Sequence, residues 1–409
     1  MKKLVLFFIT LFLLFSCVIQ KKSPMEELFK MKIGYGENEL GIINNNGMVN
    51  TNTINISYKN GFYYLSDSTN NKILRTTEKG EPLLIIFNKE SNPLLKPTIT
   101  EKDPKTEEEK IIFVKLYKDY PVYSPGLVIA DIEKNIYFIN RLPSYKKVDE
   151  DGNIGSEMIL KFNSNGELLH EIGKNGILTV PFGYIINMTC DEKDNLIVQE
   201  NFNEGTLIYK FSKNGELLKK VKITKDKIPL TSKENSYLID IVDVKIGYYE
   251  DEIYVTCQFV KESKDVMSIT KYETMYEKIL KYSIKTEKFE RLMLKVTPQY
   301  IDISKIASNN EEIKNLYGDK QKILKPMETI LGVDENYNMF FTQKDLIYSS
   351  ANKNNEILYV YNSGGRLIDN IYATYPYNIK YASSMYFSYT GRVYSYYIKN
   401  GEIYFVLVN

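Results

Sequence analysis

Leu127-Val128-Ile129-Ala130-Asp131-Ile132-Glu133-Lys134-Asn135-Ile136-Tyr137-Phe138-Ile139-Asn140 decides the fold. Two apolar runs flank Asp-x-x-x-Asn. Asp and Asn side chains bond nearby backbone, and Asn tolerates a left-handed conformation, so the five residues read as a tight turn between two strands. The same phrase returns as Ile185-Ile186-Asn187-Met188-Thr189-Cys190-Asp191 to Asn195-Leu196-Ile197-Val198-Gln199, and again as Ile330-Leu331-Gly332-Val333-Asp334 to Asn338-Met339-Phe340-Phe341.

Each copy is followed by a second hairpin. The first two read Lys161-Phe162-Asn163-Ser164-Asn165-Gly166-Glu167-Leu168-Leu169 and Lys210-Phe211-Ser212-Lys213-Asn214-Gly215-Glu216-Leu217-Leu218, and the third ends in Gly364-Gly365-Arg366-Leu367-Ile368. Gly166, Gly215 and Gly365 stand where such turns need positive φ. The runs between are rich in Ile, Val, Tyr and Phe, as half-buried pleated positions prefer. A unit is therefore four antiparallel strands.

Looser copies lie near 54–86, 239–289 and 385–408, making six units. The last shows only three strands before Asn409. Met31-Lys32-Ile33-Gly34 precedes the first unit and is similar to His170-Glu171-Ile172-Gly173, so it supplies the missing outer strand. A ring closed in this way leaves no free strand edge at the seam. The pattern resembles six-bladed β-propellers of the NHL type. The resemblance implies an all-β fold of six four-stranded antiparallel blades, near 50–90, 120–176, 180–225, 236–296, 326–372 and 380–409 plus 31–36.

A minimal blade takes roughly 40–45 residues, so residues 31–409 carry insertions. Residues 92–110 and 142–155 read as polar loops. Residues 259–277 read as a longer hairpin or a small lid. Ile306, Asn310, Ile313 and Tyr317 share helical spacing before Gly318, so a short inserted helix is expected there.

The N-terminus reads as an address. Lys2 and Lys3 precede the apolar run Leu4–Phe15, which is shorter than the roughly 20 residues a spanning helix needs and has the size of a signal-peptide core. It ends in Leu14-Phe15-Ser16-Cys17, which resembles the bacterial lipoprotein box. The resemblance implies removal of residues 1–16 and a covalent lipid on Cys17, which anchors the chain in a membrane. Residues 17–30 are then the lipidated cysteine, a tether and a short helix. The helix is expected because Ser23 can cap, Pro24 suits the first turn and Glu26 completes a capping box. Val18 gives no Asp-type retention signal for the inner membrane. The outer membrane, at its periplasmic face or the cell surface, is the favoured location.

Composition narrows the chemistry. The 409 residues are 43% hydrophobic and 26% charged, with 53 basic against 52 acidic residues. That balance gives no reason to expect nucleic acid. One histidine, His170, and three cysteines, Cys17, Cys190 and Cys257, leave no His-rich metal site or disulfide scaffold. His170 falls on an outer strand, away from a central channel. Cys190 and Cys257 sit in apolar runs, where a disulfide or two buried thiols both fit. Asp131, Asp191 and Asp334 invite a calcium reading, but their turn role explains them without metal, and no cofactor is expected beyond the lipid.

The oddity is tyrosine, with 34 residues against no tryptophan. Ten lie between Tyr372 and Tyr404, and Tyr375-Pro376-Tyr377 falls on a loop between the fifth and sixth units. Tyr375 and Tyr377 are therefore the candidate partner-binding residues, since tyrosine joins an apolar face to a hydroxyl. The favoured reading is a non-catalytic envelope scaffold for a protein, peptide or glycan. The competing reading is a metal-dependent hydrolase or lyase at the central channel. Three or more converging carboxylates or amides at the channel mouth would favour the enzyme, and a tyrosine-lined mouth would favour binding.

Overall fold

Side chains of the strand Ile136–Arg141 leave alternately by its two faces. Ile136 and Phe138 enter a core with Tyr64, Ile73, Leu84 and Ile86 of the preceding unit. Tyr137 and Ile139 enter another with Ile185, Met188, Leu196 and Val198 of the following one. One sheet thus serves two cores, and the same division recurs at every junction. A sheet that buries both faces against like sheets, each twisted relative to the last, generates a ring.

The computed structural model describes residues 25–408, with its longer breaks at 96–115, 142–156, 174–181, 303–321 and 345–354 and shorter ones elsewhere. The fold is all-β, a six-bladed propeller with almost no helix among the described residues. The first blade is Ile54–Lys59, Phe62–Asp67, Lys72–Thr76 and Pro82–Phe87, from the centre outward, with Leu116–Asp119 added in parallel at its edge. The second is Val128–Ala130, Ile136–Arg141, Glu157–Phe162 and Leu168–Ile172. The third is Ile185–Cys190, Leu196–Phe202, Gly205–Phe211 and Leu217–Thr224. The fourth is Leu238–Ile246, Glu252–Lys264, Thr270–Ser283 and Lys288–Val296. The insertion at 259–277 is its lengthened hairpin. The fifth is Thr329–Val333, Met339–Lys344, Asn355–Tyr361 and Leu367–Thr374.

The sixth blade has a broken inner strand, Tyr381–Ala382 and Tyr386–Phe387, then Val393–Lys399 and Glu402–Leu407. Its outer strand is Glu26–Ile33, antiparallel to Glu402–Leu407. The expected closure is present, but the short helix ending near residue 30 is not. Residues 26–30 are already strand. Phe29 and Met31 go into the core between the last and first blades, a burial that one helical turn on a tether would not supply. The helix expected over 303–317, the lipidation site Cys17 and the loop 142–155 lie outside the described residues.

The repeated turns fasten the blades. Asp131 accepts both the Asn135 backbone N–H (2.8 Å) and the Asn135 side-chain amide (2.8 Å). Asp191 and Asp334 repeat this with Asn195 and Asn338. The left-handed residue is not the Asn but the one before it: Lys134, Asp194 and Tyr337 have φ of 66°, 59° and 61°. Lys161 and Lys210, nearly buried, reach from the third strand to within 3.7 Å of Asp131 and 3.6 Å of Asp191. Asp131 and Asp191 are thus spent on backbone, amide and lysine, and Asp334 on backbone and amide.

Turn also joins turn around the ring. The Asn60 amide donates to Ile132 O (3.1 Å) and the Ile132 N–H to Asp194 Oδ1 (3.1 Å). Glu192 N–H donates to Tyr248 O (3.1 Å), the Tyr249 hydroxyl to Glu335 O (2.6 Å) and Glu335 N–H to Tyr389 O (3.0 Å). Arg392 reaches the Tyr58 hydroxyl at 3.5 Å and completes the circle. Asp131→Ala is expected to cost about 2–3 kcal/mol in denaturant unfolding, because it leaves the Asn135 donors unpartnered and takes the counter-ion from buried Lys161, which keeps only its bond to Lys213 O. Glu192→Ala, exposed in an equivalent turn, should stay within about 0.5 kcal/mol.

Candidate functional site

The six inner strands enclose a cavity of about 580 Å³ on the propeller axis. All six blades contribute, through residues such as Ile56, Ile129, Met188, Val244, Leu331 and Tyr386. The walls mix apolar inner-strand side chains, which continue the cores between the blades, with polar ones such as Lys59, Asn187, Gln199, Asp243 and Glu335. At the end where the inner strands exit, the fastened turns form the rim. The residue following each turn's first position is brought to that rim: Ile132, Glu192, Tyr248, Glu335 and Tyr389.

Blades four and six place tyrosine there, and these rings cluster. Tyr248 lies 5.1 Å from Tyr249 and 5.5 Å from Tyr389, and Tyr249 stacks on Tyr337 at 5.0 Å and 23°. Phe387 extends the patch to Tyr389 at 6.1 Å. The Tyr389 hydroxyl donates to Ile246 O (3.2 Å), which locks its ring at the mouth. Tyr248, Tyr249 and Tyr337 are half-buried, each with part of its surface open. Burial raises the Tyr248, Tyr337 and Tyr389 hydroxyls above the ordinary tyrosine value, so they remain protonated donors. Aromatic rings held by ring contacts and turn hydrogen bonds make a rigid amphipathic surface with little side-chain entropy to lose.

The tyrosines expected from sequence are placed differently. Tyr375 is 2% exposed, its hydroxyl shares a hydrogen bond with Ser395 Oγ at 2.8 Å, and its ring meets Tyr397 edge-on at 6.3 Å. It is an interior packing residue and presents no surface to a partner. Tyr377 lies outside the described residues. Tyr394, Tyr396 and Tyr397 are buried too, so the C-terminal tyrosine run largely fills the sixth blade. The mouth tyrosines were legible only by aligning the turns, because Tyr248 follows Gly247 and Tyr389 follows Ser388 where other blades have the repeated Asp.

His170 is half-buried on the outer strand Leu168–Ile172, opposite Lys161, and burial lowers its pKa. Cys190 and Cys257 are buried free thiols in two different cores. Among the described residues no three His, Cys, Asp or Glu side chains gather in a metal-binding arrangement. No described helix is long and apolar enough to cross a membrane.

No protein-family model matches the chain, and no curated protein matches it. The chain is similar at low identity to several solved structures. A gluconolactonase from Xanthomonas campestris is 9% identical over 85% of this chain and 82% of its own, with a TM-score of 0.37. A polysaccharide lyase is 9% identical over 96% and 98%, with a TM-score of 0.42. A DUF4221-family protein from Bacteroides vulgatus is 10% identical over 95% and 98%, with a TM-score of 0.37.

Proposed function

We propose that this protein is a lipid-anchored, non-catalytic binding propeller of a bacterial envelope, held to the membrane through Cys17. It takes a protein, peptide or glycan at the tyrosine-lined mouth of its channel. The observation that carries the reading is the cluster Tyr248, Tyr249, Tyr337 and Tyr389, fixed on turns that are themselves hydrogen-bonded around the ring. Tyrosine in a rigid setting is a frequent centre of recognition surfaces, where a few aromatic anchors supply most of the affinity.

Crosslinking in intact cells, followed by recovery of the lipidated protein, tests this reading. A stoichiometric envelope partner is expected, and Tyr248→Ala should lower its recovery or affinity at least tenfold, about 1.4 kcal/mol, while the purified domain stays folded. Cys17→Ser should move the protein from the membrane to the soluble fraction. Undiminished partner recovery by Tyr248→Ala would sink the mouth as the binding surface. Membrane retention of Cys17→Ser would sink the anchor.

A further inference from the structure

The closing strand enters the ring at the tyrosine end. In the sixth blade the inner strand runs into the turn 388–392, which carries Tyr389 to the channel mouth, and Val393–Lys399 leads away from it. Tyr394 pairs with Leu407, and Leu407 with Glu26. At the other end Lys399 pairs with Glu402, and Glu402 with Lys32. Glu26–Ile33 therefore starts level with the mouth and runs away from it. Met25, just before the strand, is half-buried against the core of Phe340, Met385, Val393 and Val408, which fixes the point of entry.

Seven residues, 18–24, separate Cys17 from Met25. Fully extended, that stretch reaches at most about 29 Å. The closing strand alone has eight residues. To turn the opposite end of the disk toward a membrane, the tether would have to run the whole height of blade six, with almost nothing left to reach the lipid. The short path leaves the mouth facing the bilayer.

We infer, on the reading that Cys17 carries the anchor, that the tyrosine mouth faces the membrane that holds the protein and takes an extended peptide segment of a protein borne by that membrane. The gap sets the form of the partner. A folded domain of 100 residues has a radius of gyration of about 13 Å and a width of about 34 Å, more than the tether allows between mouth and bilayer. An extended segment fits, and aromatic-lined surfaces bind such segments. The hydroxyls set the class. Tyr249 donates to Glu335 O, Tyr389 to Ile246 O and Tyr337 to Glu252 Oε1. These hydroxyls are spent inside the protein, so the mouth offers ring surface, which suits apolar peptide side chains better than a hydroxyl-rich saccharide.

The chain has no tryptophan, so a single introduced one reports from a known place. Ile132→Trp puts it on an exposed turn at the mouth end, and Tyr184→Trp on the exposed residue that precedes an inner strand at the opposite end. Neither exposed substitution should move the thermal midpoint. The lipidated full-length variants are reconstituted in vesicles of phosphatidylethanolamine and phosphatidylglycerol carrying dansyl-phosphatidylethanolamine. Energy transfer to the dansyl headgroup is expected to be at least about twofold greater from Ile132→Trp, because the two positions differ in height by about 20 Å along the strands. Equal transfer, or more from Tyr184→Trp, overturns the orientation. Vesicles that float without the protein overturn the anchor and this inference with it, and that failure is distinct because neither site then shows transfer. In intact cells the partner crosslinked at the mouth should be a protein that fractionates with the membrane even in cells lacking the propeller. A soluble partner, or a lipid-linked saccharide in its place, overturns the inference.

Discussion

Lys72→Met is expected to destabilise the protein by about 3–5 kcal/mol, the usual result of removing one partner of a buried ion pair. Lys72 and Asp67 are both fully buried, with Nζ 3.9 Å from Oδ2. The ammonium donates to the carbonyls of Gly36 and Glu39, and the carboxylate accepts from the Gly41 N–H and from the Asn70 N–H and side-chain amide. The pair thereby holds the segment 34–41, which leads from the closing strand into the first blade. Methionine conserves the stem and removes the charge, so Asp67 is left buried without a counter-ion.

The defect should depend on pH. Burial raises the Asp67 carboxyl to about 6 from an ordinary value of 3.8, against the downward pull of Lys72. Between those values the folded chain binds the more protons, and this group's contribution to stability falls as pH rises. Without Lys72 the folded value moves higher still. The charge-dependent part of the Lys72→Met penalty is then full only above the variant's raised folded value, shrinks as pH falls from that value to about 6, and is gone below it, where the carboxyl is protonated in both folded chains; the loss of the bonds to Gly36 and Glu39 remains at every pH. Adding Asp67→Asn should recover much of the loss. Urea unfolding of both variants at pH 7.5 and pH 4.5 decides it, and a defect equal at both pH values would show that the carboxylate charge is not its source.

Phe29→Ala should cost about 3–5 kcal/mol, the range for truncating a buried phenylalanine. Phe29 is 6% exposed and stacks on Phe405 at 4.6 Å and 22°, with Tyr63 of the first blade 5.0 Å away. With Met31, it is a side chain through which the closing strand enters the core between the two blades of the seam. The loss is read as a lower denaturant midpoint at unchanged slope, since a closed ring unfolds as one cooperative unit. Leu28→Ala, only half-buried on the same strand, should cost clearly less. A Phe29→Ala loss below about 1 kcal/mol would mean that the seam is held by backbone pairing alone.

The local signals were legible where turn chemistry and pattern agreed. Asp-x-x-x-Asn and the glycines at 166, 215 and 365 each mark a hairpin whose conformation its own residues enforce. The observed φ values of 80°, 82° and 74° at those glycines follow from that. The helix expected to end near residue 30 gives way to strand Glu26–Ile33 for the opposite reason. Their capping signals are real but weak, worth about 1 kcal/mol. They are overridden by a strand partner 372 residues away, marked by Lys30 against Glu402, and by burial of Phe29 and Met31. Tyr375 lies in a loop, but whether its ring faces solvent depends on Ser395 and Tyr397, which strand pairing brings beneath it.

Sequence by itself determined the six-fold repeat, the four-strand unit and the borrowed closing strand, because period-two patterning and turn residues act within a few positions of one another. Only the tertiary structure decided which tyrosines reach the channel mouth and which are buried in the sixth blade. Those properties belong to the ring. They arise when strands far apart in the chain are brought around one axis, and no local pattern encodes what lies across a channel.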